Sequence, residues 1–219
     1  MKLYQHMNSI LNTLNKEQQE AVISTDGPAI ILAGAGSGKT RVLIHKVLYL
    51  ITEKQVNPQN ILMVTFSNKA AGEMKERIRK ALTGKKDQLE PAVSTFHSLC
   101  ARILRRHGVA IGIPHNFVIY STVDQIDTIK DCLEKLELSI KDIRPKAALE
   151  AISEAKNQMI APNQYEKLAR GYIQERVAKI YPLYQKLLEE RDALDFDDLL
   201  NKTIELFQKS PDTLSYYQE

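Results

Sequence analysis

The sequence predicts an α/β fold in which a parallel sheet is flanked by helices and interrupted by an all-helical insertion. Three short apolar runs occur in the first half of the chain, and each ends in a polar loop that leads into a helical pattern. Between about residues 110 and 190, helical patterns follow one another without a further apolar run typical of a buried strand. We therefore expect residues 1–109 to form the first part of a sheet domain, 110–190 an inserted helical subdomain, and 191–219 the return to an incomplete sheet domain.

The composition is that of an ordinary globular protein. The 219 residues are 43% hydrophobic and 26% charged, with a formal net charge of +3. This mildly basic balance is compatible with nucleic acid as a partner but does not indicate it. The two cysteines, Cys100 and Cys132, lack metal-ligand spacing and fit a reducing compartment. No signal-peptide pattern and no apolar run of the roughly 20 residues that span a membrane is visible, so we expect a cytoplasmic protein with no membrane partner.

The first apolar run, at residues 29–32, predicts a strand buried on both faces within a parallel sheet. A glycine-rich loop follows, and then an apolar-periodic stretch typical of a helix. Strand, loop and helix in this order are typical of a phosphate-binding P-loop, although Ala33 takes the place of the usual opening glycine. The candidate nucleotide-binding residues lie in the loop and the first helical turn: Ala33, Gly34, Ala35, Gly36, Ser37, Gly38, Lys39 and Thr40.

These residue types suit a bound nucleotide. Glycines let backbone N–H groups approach a phosphate, and the N-terminus of the helix adds partial positive charge. Lys39 is expected to reach the β- and γ-phosphates, and the Thr40 hydroxyl to hold Mg²⁺. Lys39 and Thr40 are therefore the candidate catalytic groups, and Thr40 is the candidate metal ligand.

Two further apolar runs predict strands that each lead into a helix: 61–66 and 92–94. Because ligands gather at the carboxyl ends of parallel strands, we expect the glycine-rich loop and the segments 65–69 and 94–98 to share one edge of the sheet. Phe66 and Phe96 lie at these strand ends beside polar groups, as on a platform for unpaired bases. The alternative, that both phenylalanines belong to the core, stays open.

Several residues mark where helices begin. Predicted starts lie at Asn15, Ser67, Thr95, Ser121, Pro145 and Pro162. Asp195 is expected to cap a later helix, with Asp197 and Asp198 in its first turn, where they favour the helix dipole. A metal site of these three carboxylates is the less favoured alternative, because side chains in one helical turn fan outward.

Four segments resemble, in order, successive motifs of the UvrD/Rep/PcrA-type superfamily 1 DNA helicases: 14–18, 33–41, 64–71 and 94–98. Residues 194–199 resemble a further segment of that family, and the spacing agrees over essentially the whole chain. The resemblance implies a P-loop NTPase fold with a RecA-like sheet, ATP and Mg²⁺ as cofactors, and single-stranded and forked DNA as partners.

The resemblance also implies roles for individual residues. Gln18, which composition alone would leave as a solvated helix residue, would read the adenine edge, and Arg41 would lie against the adenine. Contacts to single-stranded DNA would come from Thr65, Phe66, Asn68, Lys69, Thr95, Phe96, His97 and Phe196. The helical insertion resembles a subdomain that sits over duplex DNA, with Lys156 at a duplex-contact position.

The chain departs from the family pattern beyond these motifs. No apolar strand closing on the Walker B Asp-Glu pair occurs between residues 1 and 219, and the second RecA-like domain with its arginine fingers is absent. The resemblance therefore implies the N-terminal portion of a 3′ to 5′ ATP-dependent DNA helicase, whose partner is the missing C-terminal portion. The alternative is a non-hydrolysing module that binds nucleotide or DNA.

Overall fold

The computed structural model describes residues 10–82 and 89–218. The chain divides into two compact units, Met1–Phe96 and His97–Glu219. The predicted division at residues 109 and 190 places its boundaries elsewhere and stays a prediction. The sequence also predicts a polar lead-in over residues 1–13 and a polar connection over residues 83–90, and most of both lies outside the described residues.

The first unit combines helices with a small parallel sheet. Its described helices are α1 (Lys16–Ile23), α2 (Lys39–Thr52) and α3 (Asn68–Ala81), and a short 3₁₀ turn spans Pro58–Asn60. Strands β1 (Leu62–Thr65) and β2 (Ala92–Thr95) pair in parallel, with Thr65 opposite Thr95. The core lies between α2, β1 and α3, and includes Ile44, Val47, Leu48, Ile51, Met63, Met74 and Ile78.

Local capping explains where the helices of this unit begin. The Asn15 side chain accepts a hydrogen bond from the Gln18 backbone, and the Gln18 side chain accepts one from the Asn15 backbone, which closes a capping box. The Ser67 hydroxyl accepts a hydrogen bond from the backbone N–H of Ala70 at the start of α3. Both predicted starts are confirmed.

The structure contradicts the buried strand predicted at residues 29–32. Ile30 is 88% exposed and Leu32 is 92% exposed, and the segment belongs to no described helix or strand. A strand requires a neighbour that pairs with it, and residues 29–32 pair with neither of the two strands described in this unit. The apolar composition of residues 29–32 suits a strand that pairs with a neighbour. Among the described residues the segment has no such neighbour and does not form a strand.

The second run, predicted as a strand at 61–66, forms β1 over Leu62–Thr65, and only one of its faces is buried. Met63 is buried in the core of the first unit, whereas Leu62 on the opposite face of β1 is 52% exposed. Alternation of this kind is typical of a sheet that is covered on one face only.

The second unit is mainly helical. It contains most of α4 (Phe96–His107), a 3₁₀ turn (Gly108–Ile111), and helices α5 (Thr122–Lys135), α6 (Pro145–Asn157), α7 (Pro162–Leu168), α8 (Tyr172–Glu190), α9 (Phe196–Lys209) and α10 (Pro211–Gln218). Two short strands, β3 (Val118–Ile119) and β4 (Ala193–Leu194), pair in parallel. One cluster of buried residues joins α5, α6 and α8, and a second joins α4 to α9.

The helix starts predicted in this unit are confirmed. Ser121 and Asp124 form a capping box, Pro145 and Pro162 occupy the first positions of α6 and α7, and Asp195 caps α9. The pairing of β3 with β4 was not predicted, because two residues are too few to produce a periodic signal.

Within the described part of the chain, every helix is too short or too polar to cross a membrane.

Candidate functional site

The glycine-rich loop is exposed and leaves room for a ligand close to its backbone. Gly36 and Gly38 adopt positive φ angles of 76° and 88°, which side-chain-bearing residues rarely take. A Cβ atom at Gly34 or Gly36 would meet no other atom within 4 Å. At Gly38 a Cβ atom would lie 2.9 Å from Nε2 of the flexible Gln18 side chain, and the φ angle of 88° is what favours glycine at this position.

Lys39 is exposed, and its ammonium bends back over the loop. Its Nζ atom donates to the carbonyl oxygens of Ala33 at 3.0 Å and Gly34 at 2.7 Å. Both acceptors are neutral, whereas a phosphate offers charged oxygens that form stronger hydrogen bonds with an ammonium. The ammonium therefore lies at the loop, and an anion can replace the two carbonyl oxygens as its hydrogen-bond acceptors.

The N-terminus of α2 is well suited to an anion. Gly38 is the cap residue, and within residues 10–82 and 89–218 no side chain caps this helix. Its first N–H groups lack intrahelical partners and carry the positive end of the dipole. Thr40 is exposed in the first turn. Its hydroxyl fits as one ligand of a Mg²⁺ ion that keeps several waters and binds the phosphates, and the described residues contain no cluster of three His, Cys, Asp or Glu suited to a metal.

Gln18 connects the first helix to the loop. Its Nε2 donates to the Ser37 carbonyl at 3.0 Å, while its Oε1 accepts from the Asn15 backbone at 3.1 Å. Arg41 is exposed on α2, two residues beyond Lys39. Gln18 thus lies beside the loop, as the resemblance requires, and the contacts of Gln18 and Arg41 to adenine stay predictions.

The carboxyl ends of β1 and β2 bring two phenylalanines together. The ring centroids of Phe66 and Phe96 lie 6.2 Å apart, with the planes inclined at 49°. Phe66 is 96% exposed and Phe96 is 44% exposed, so neither is a core residue, and their role as a platform for unpaired bases stays a prediction. The other residues assigned to these strand ends differ in exposure: Asn68 and Lys69 are exposed, Thr65 is half-buried, and Thr95 is only 7% exposed.

A second aromatic pair lies in the second unit. The His97 ring meets the Phe196 ring edge to face, with centroids 5.8 Å apart and an interplanar angle of 77°. Phe196 is 46% exposed and is the first residue of α9, directly after its cap Asp195. Asp195 and Asp198 form a capping box, which confirms the prediction that Asp195 caps this helix.

Lys156 does not lie where the resemblance implies. Its side chain is 2% exposed, and its Nζ lies 2.7 Å from Asp195 Oδ2 and 2.8 Å from Asp198 Oδ1. The Tyr184 hydroxyl donates to the same Asp195 oxygen at 3.0 Å. An ammonium enclosed by two carboxylates cannot reach a phosphate of a DNA duplex, so the structure corrects the expected duplex contact. We call these four residues the buried ion network.

Burial governs the ionisation of this network. Burial raises the pKa of Asp198, and the positive charge of Lys156 opposes that rise. Burial and the neighbouring carboxylate of Asp195 raise the pKa of the Tyr184 hydroxyl, which therefore stays protonated and acts as a donor.

Sequence reasoning missed the network, although a signal was present. Leu149 and Ile152 form part of the buried stripe of α6, and Lys156 follows them at the same helical spacing. A lysine on an apolar stripe needs an anionic partner in the interior. Asp195 and Asp198 are those partners, and nothing in their local sequence indicates which lysine they meet.

Comparisons with known proteins were consistent with one another. A family model described as the UvrD/REP helicase N-terminal domain matches residues 14–219. The ATP-dependent DNA helicase PcrA of Staphylococcus aureus is 50% identical over 213 residues, which are 97% of this chain and 29% of the relative. The protein of the same name from Bacillus subtilis is 49% identical over 211 residues, or 96% of this chain and 28% of the relative.

The chain thus spans less than a third of the length of these curated relatives. Because the family match begins at residue 14 and covers the glycine-rich loop, both strand ends and α9, it includes every candidate site described above. The chain belongs to the UvrD/REP helicase family and corresponds to its N-terminal domain.

Proposed function

We propose that this chain is the ATP-binding and single-stranded-DNA-binding N-terminal part of an ATP-dependent DNA helicase. The observation that carries the proposal is that the exposed glycine-rich loop and the exposed Phe66–Phe96 pair occur in the same compact unit. Relatives named ATP-dependent DNA helicase align with 96–97% of the chain, which supports the same assignment. The proposed fold is a RecA-like sheet completed by further strands, with the helical segment 110–190 inserted into it.

At the nucleotide site, the proposed roles follow from the charges and hydrogen-bonding groups present. Lys39 exchanges the two carbonyl oxygens that it now contacts for β- and γ-phosphate oxygens. Gln18 binds the adenine edge, and Arg41 lies against the ring. Thr40 holds the Mg²⁺ ion, which neutralises charge on the phosphates when it is bound.

At the DNA site, exposed rings supply stacking surfaces for unpaired bases. Stacking on an aromatic ring tolerates any base, as a translocating protein requires. Phe66 and Phe96 form one such pair, and His97 and Phe196 form another. Asn68 and Lys69 supply a donor and a positive charge for the phosphates of the strand. In the whole protein, we infer that ATP hydrolysis drives 3′ to 5′ movement along single-stranded DNA and the opening of forked DNA, together with the C-terminal portion.

A second candidate function is a module that binds nucleotide or DNA without hydrolysis. The sequence observation that favours it is the lack of an apolar strand ending in Asp-Glu among the 219 residues. Without that pair, the Mg²⁺ ion lacks its carboxylate ligand and the attacking water lacks a carboxylate base.

The test is a set of three measurements on this chain: binding of a fluorescent ATP analogue with Mg²⁺, binding of oligo(dT), and phosphate release with and without oligo(dT). We expect both ligands to bind and phosphate release to be very slow. Failure of both ligands to bind would overturn the proposal. Phosphate release that oligo(dT) stimulates to an ordinary enzyme rate would exclude the non-hydrolysing alternative.

A further inference from the structure

The buried ion network connects two helices of the second unit through charge. Lys156 belongs to the last turn of α6, whereas Asp195 and Asp198 form the capping box at the start of α9. The side chains of Asp195 and Asp198 are 2% and 5% exposed. The charged side chains of the network are therefore almost entirely buried.

Such a network is not needed for stability alone. The desolvation of buried charges offsets much of their attraction, and well-packed apolar residues often stabilise a protein equally well. What buried charges with short, directed contacts do provide is a defined geometry. The contacts among Lys156, Asp195 and Asp198 therefore fix the position of a further feature of the molecule.

The feature is the first turn of α9. One oxygen of the Asp195 carboxylate accepts the backbone N–H of Asp198 at 2.8 Å, which starts the helix. The other oxygen accepts from the ammonium of Lys156 and from the Tyr184 hydroxyl. The cap is thus held by α9 itself on one side and by α6 and α8 on the other.

A second contact fixes the same two helices. The side-chain amide of Asn201, one turn further along α9, donates to the backbone carbonyl of Lys156 at 2.8 Å. The end of α6 and the first turns of α9 are therefore joined both by the ion network and by this hydrogen bond. Phe196, between Asp195 and Asp198 in the chain, projects from the turn that these contacts hold.

We propose that Lys156 is a positioning residue: through Asp195 and Asp198 it holds the first turn of α9 so that Phe196 stands exposed beside His97 and ready to stack on a base. This inference rests on the proposed role of Phe196 in binding single-stranded DNA. Lys156 acts from the interior and does not touch the DNA, because its ammonium is enclosed by carboxylates.

The first test compares Lys156→Met with Lys146→Met, which removes the same charge from an exposed position of the same helix, where the side chain is 80% exposed. We expect Lys156→Met to weaken oligo(dT) binding by about fivefold or more, the lower end of what stacking of one base contributes. We expect Lys146→Met to bind as the parent chain does.

The salt dependence of binding separates positioning from direct contact. A lost phosphate contact would reduce the slope of log affinity against log salt concentration by about 0.7 for single-stranded DNA. Because Lys156 contacts no phosphate, we expect the slope of Lys156→Met to equal that of the parent. A reduced slope would overturn the inference, since it would return Lys156 to the DNA surface.

A reporter at residue 196 tests positioning without DNA. The chain contains no tryptophan, so Phe196→Trp introduces a single indole. We expect acrylamide to quench this indole more strongly when Lys156→Met is added, because the indole is then no longer held against His97. When Lys146→Met is added instead, we expect the same quenching as in Phe196→Trp alone. If Phe196→Ala leaves oligo(dT) affinity unchanged, the proposed DNA role of Phe196 fails, while the quenching comparison still decides whether Lys156 positions residue 196.

A double-mutant cycle shows whether Lys156 acts through Phe196. In a Phe196→Ala background we expect Lys156→Met to cause no further loss of oligo(dT) affinity. If the full loss persists in that background, Lys156 acts by another route and the inference is wrong.

Tyr184→Phe keeps the inference testable if Lys156→Met does not fold. It removes one hydrogen bond to Asp195 and preserves the ring that packs in the core. We expect a smaller change in the same direction, in both quenching and affinity. A folded Tyr184→Phe chain with parental quenching and parental affinity would overturn the inference in that case.

Discussion

The glycine-rich loop of the first unit and the buried ion network of the second unit each hold one lysine, and they hold it in opposite ways. Lys39 is exposed and contacts two neutral carbonyl oxygens of its own loop. Lys156 is 2% exposed and contacts two carboxylates from another helix. The P-loop pattern assigned Lys39 to the phosphates of a nucleotide, and the resemblance placed Lys156 at a contact with duplex DNA. The structure is compatible with a ligand contact for Lys39 and not for Lys156.

The difference shows what makes a lysine available to a ligand. A carbonyl oxygen is a weaker partner for an ammonium than a phosphate, so a phosphate can replace it. A buried carboxylate is not replaced, because separating the pair would leave uncompensated charge in the interior. Exposure and the charge of the present partner, and not the motif alone, therefore distinguish a binding lysine from a structural one.

The largest effect is expected when the two lysines are each replaced by methionine. Lys156→Met leaves two buried carboxylates without their partner and should lower the free energy of unfolding by roughly 3–5 kcal/mol. Lys39→Met removes an exposed charge and should change it by less than about 0.5 kcal/mol. Urea unfolding followed by circular dichroism measures both values, and equal values for the two variants would remove the contrast.

Nucleotide binding should show the reverse order. Lys39→Ala removes the charged donor for the phosphates and should weaken binding of ATP with Mg²⁺ by about tenfold or more, the range of a hydrogen bond to a charged group. Thermal melting should not change. Lys46→Ala, on the same helix, is the control, because its ammonium contacts the backbone carbonyls of Ala21 and Ser24 away from the loop. Parental affinity in Lys39→Ala would contradict the assignment of the loop.

The exposed aromatic pair sharpens the comparison on the DNA side. Phe66→Ala should weaken oligo(dT) binding by ~1–3 kcal/mol, the contribution of one stacked base, because Phe66 is 96% exposed. The melting temperature should stay close to that of the parent. Ile23→Ala, at an exposed apolar residue elsewhere in the unit, serves as the control. A large loss of thermal stability without a loss of affinity would assign Phe66 to the core.

The smallest effect is expected at an exposed ion pair. The Arg79 guanidinium donates to Glu90 at 2.8 Å and lowers the pKa of that carboxylate. A lowered pKa stabilises the folded chain above the unfolded value of about 4.3, and this contribution disappears as the pH falls through the folded value. Melting temperatures measured from neutral pH to about pH 3 should fall slightly less steeply for Glu90→Gln than for the parent. Identical slopes would show that this pair contributes nothing measurable.

The sequence was sufficient wherever a feature depends on neighbouring residues. Asn15, Ser121 and Asp195 begin helices because each side chain meets a backbone N–H three residues away. The strand ends at Phe66 and Phe96 were also predictable, because parallel pairing of two apolar runs places their carboxyl ends side by side.

The features that escaped prediction depend on distant parts of the chain. Residues 29–32 have the composition of a buried strand, but a strand requires a partner that composition does not supply. The role of Lys156 depends on the packing of α6 against α9, which brings together residues that lie 39 apart in the chain. A motif gives the position of such a residue, and only the packing shows what surrounds it.

The pairing of β3 with β4 has a consequence for the order of folding. These strands contribute two paired residues each, yet the chain between them includes four helices, α5 to α8. Closing so long a loop for so few hydrogen bonds is entropically unfavourable until local contacts have shortened the effective distance. We therefore expect the four helices to associate before β3 and β4 pair, and β4 then to bring Asp195 to Lys156. The contact between Lys156 and the cap that presents Phe196 is consequently expected to form late, although the cap itself is local.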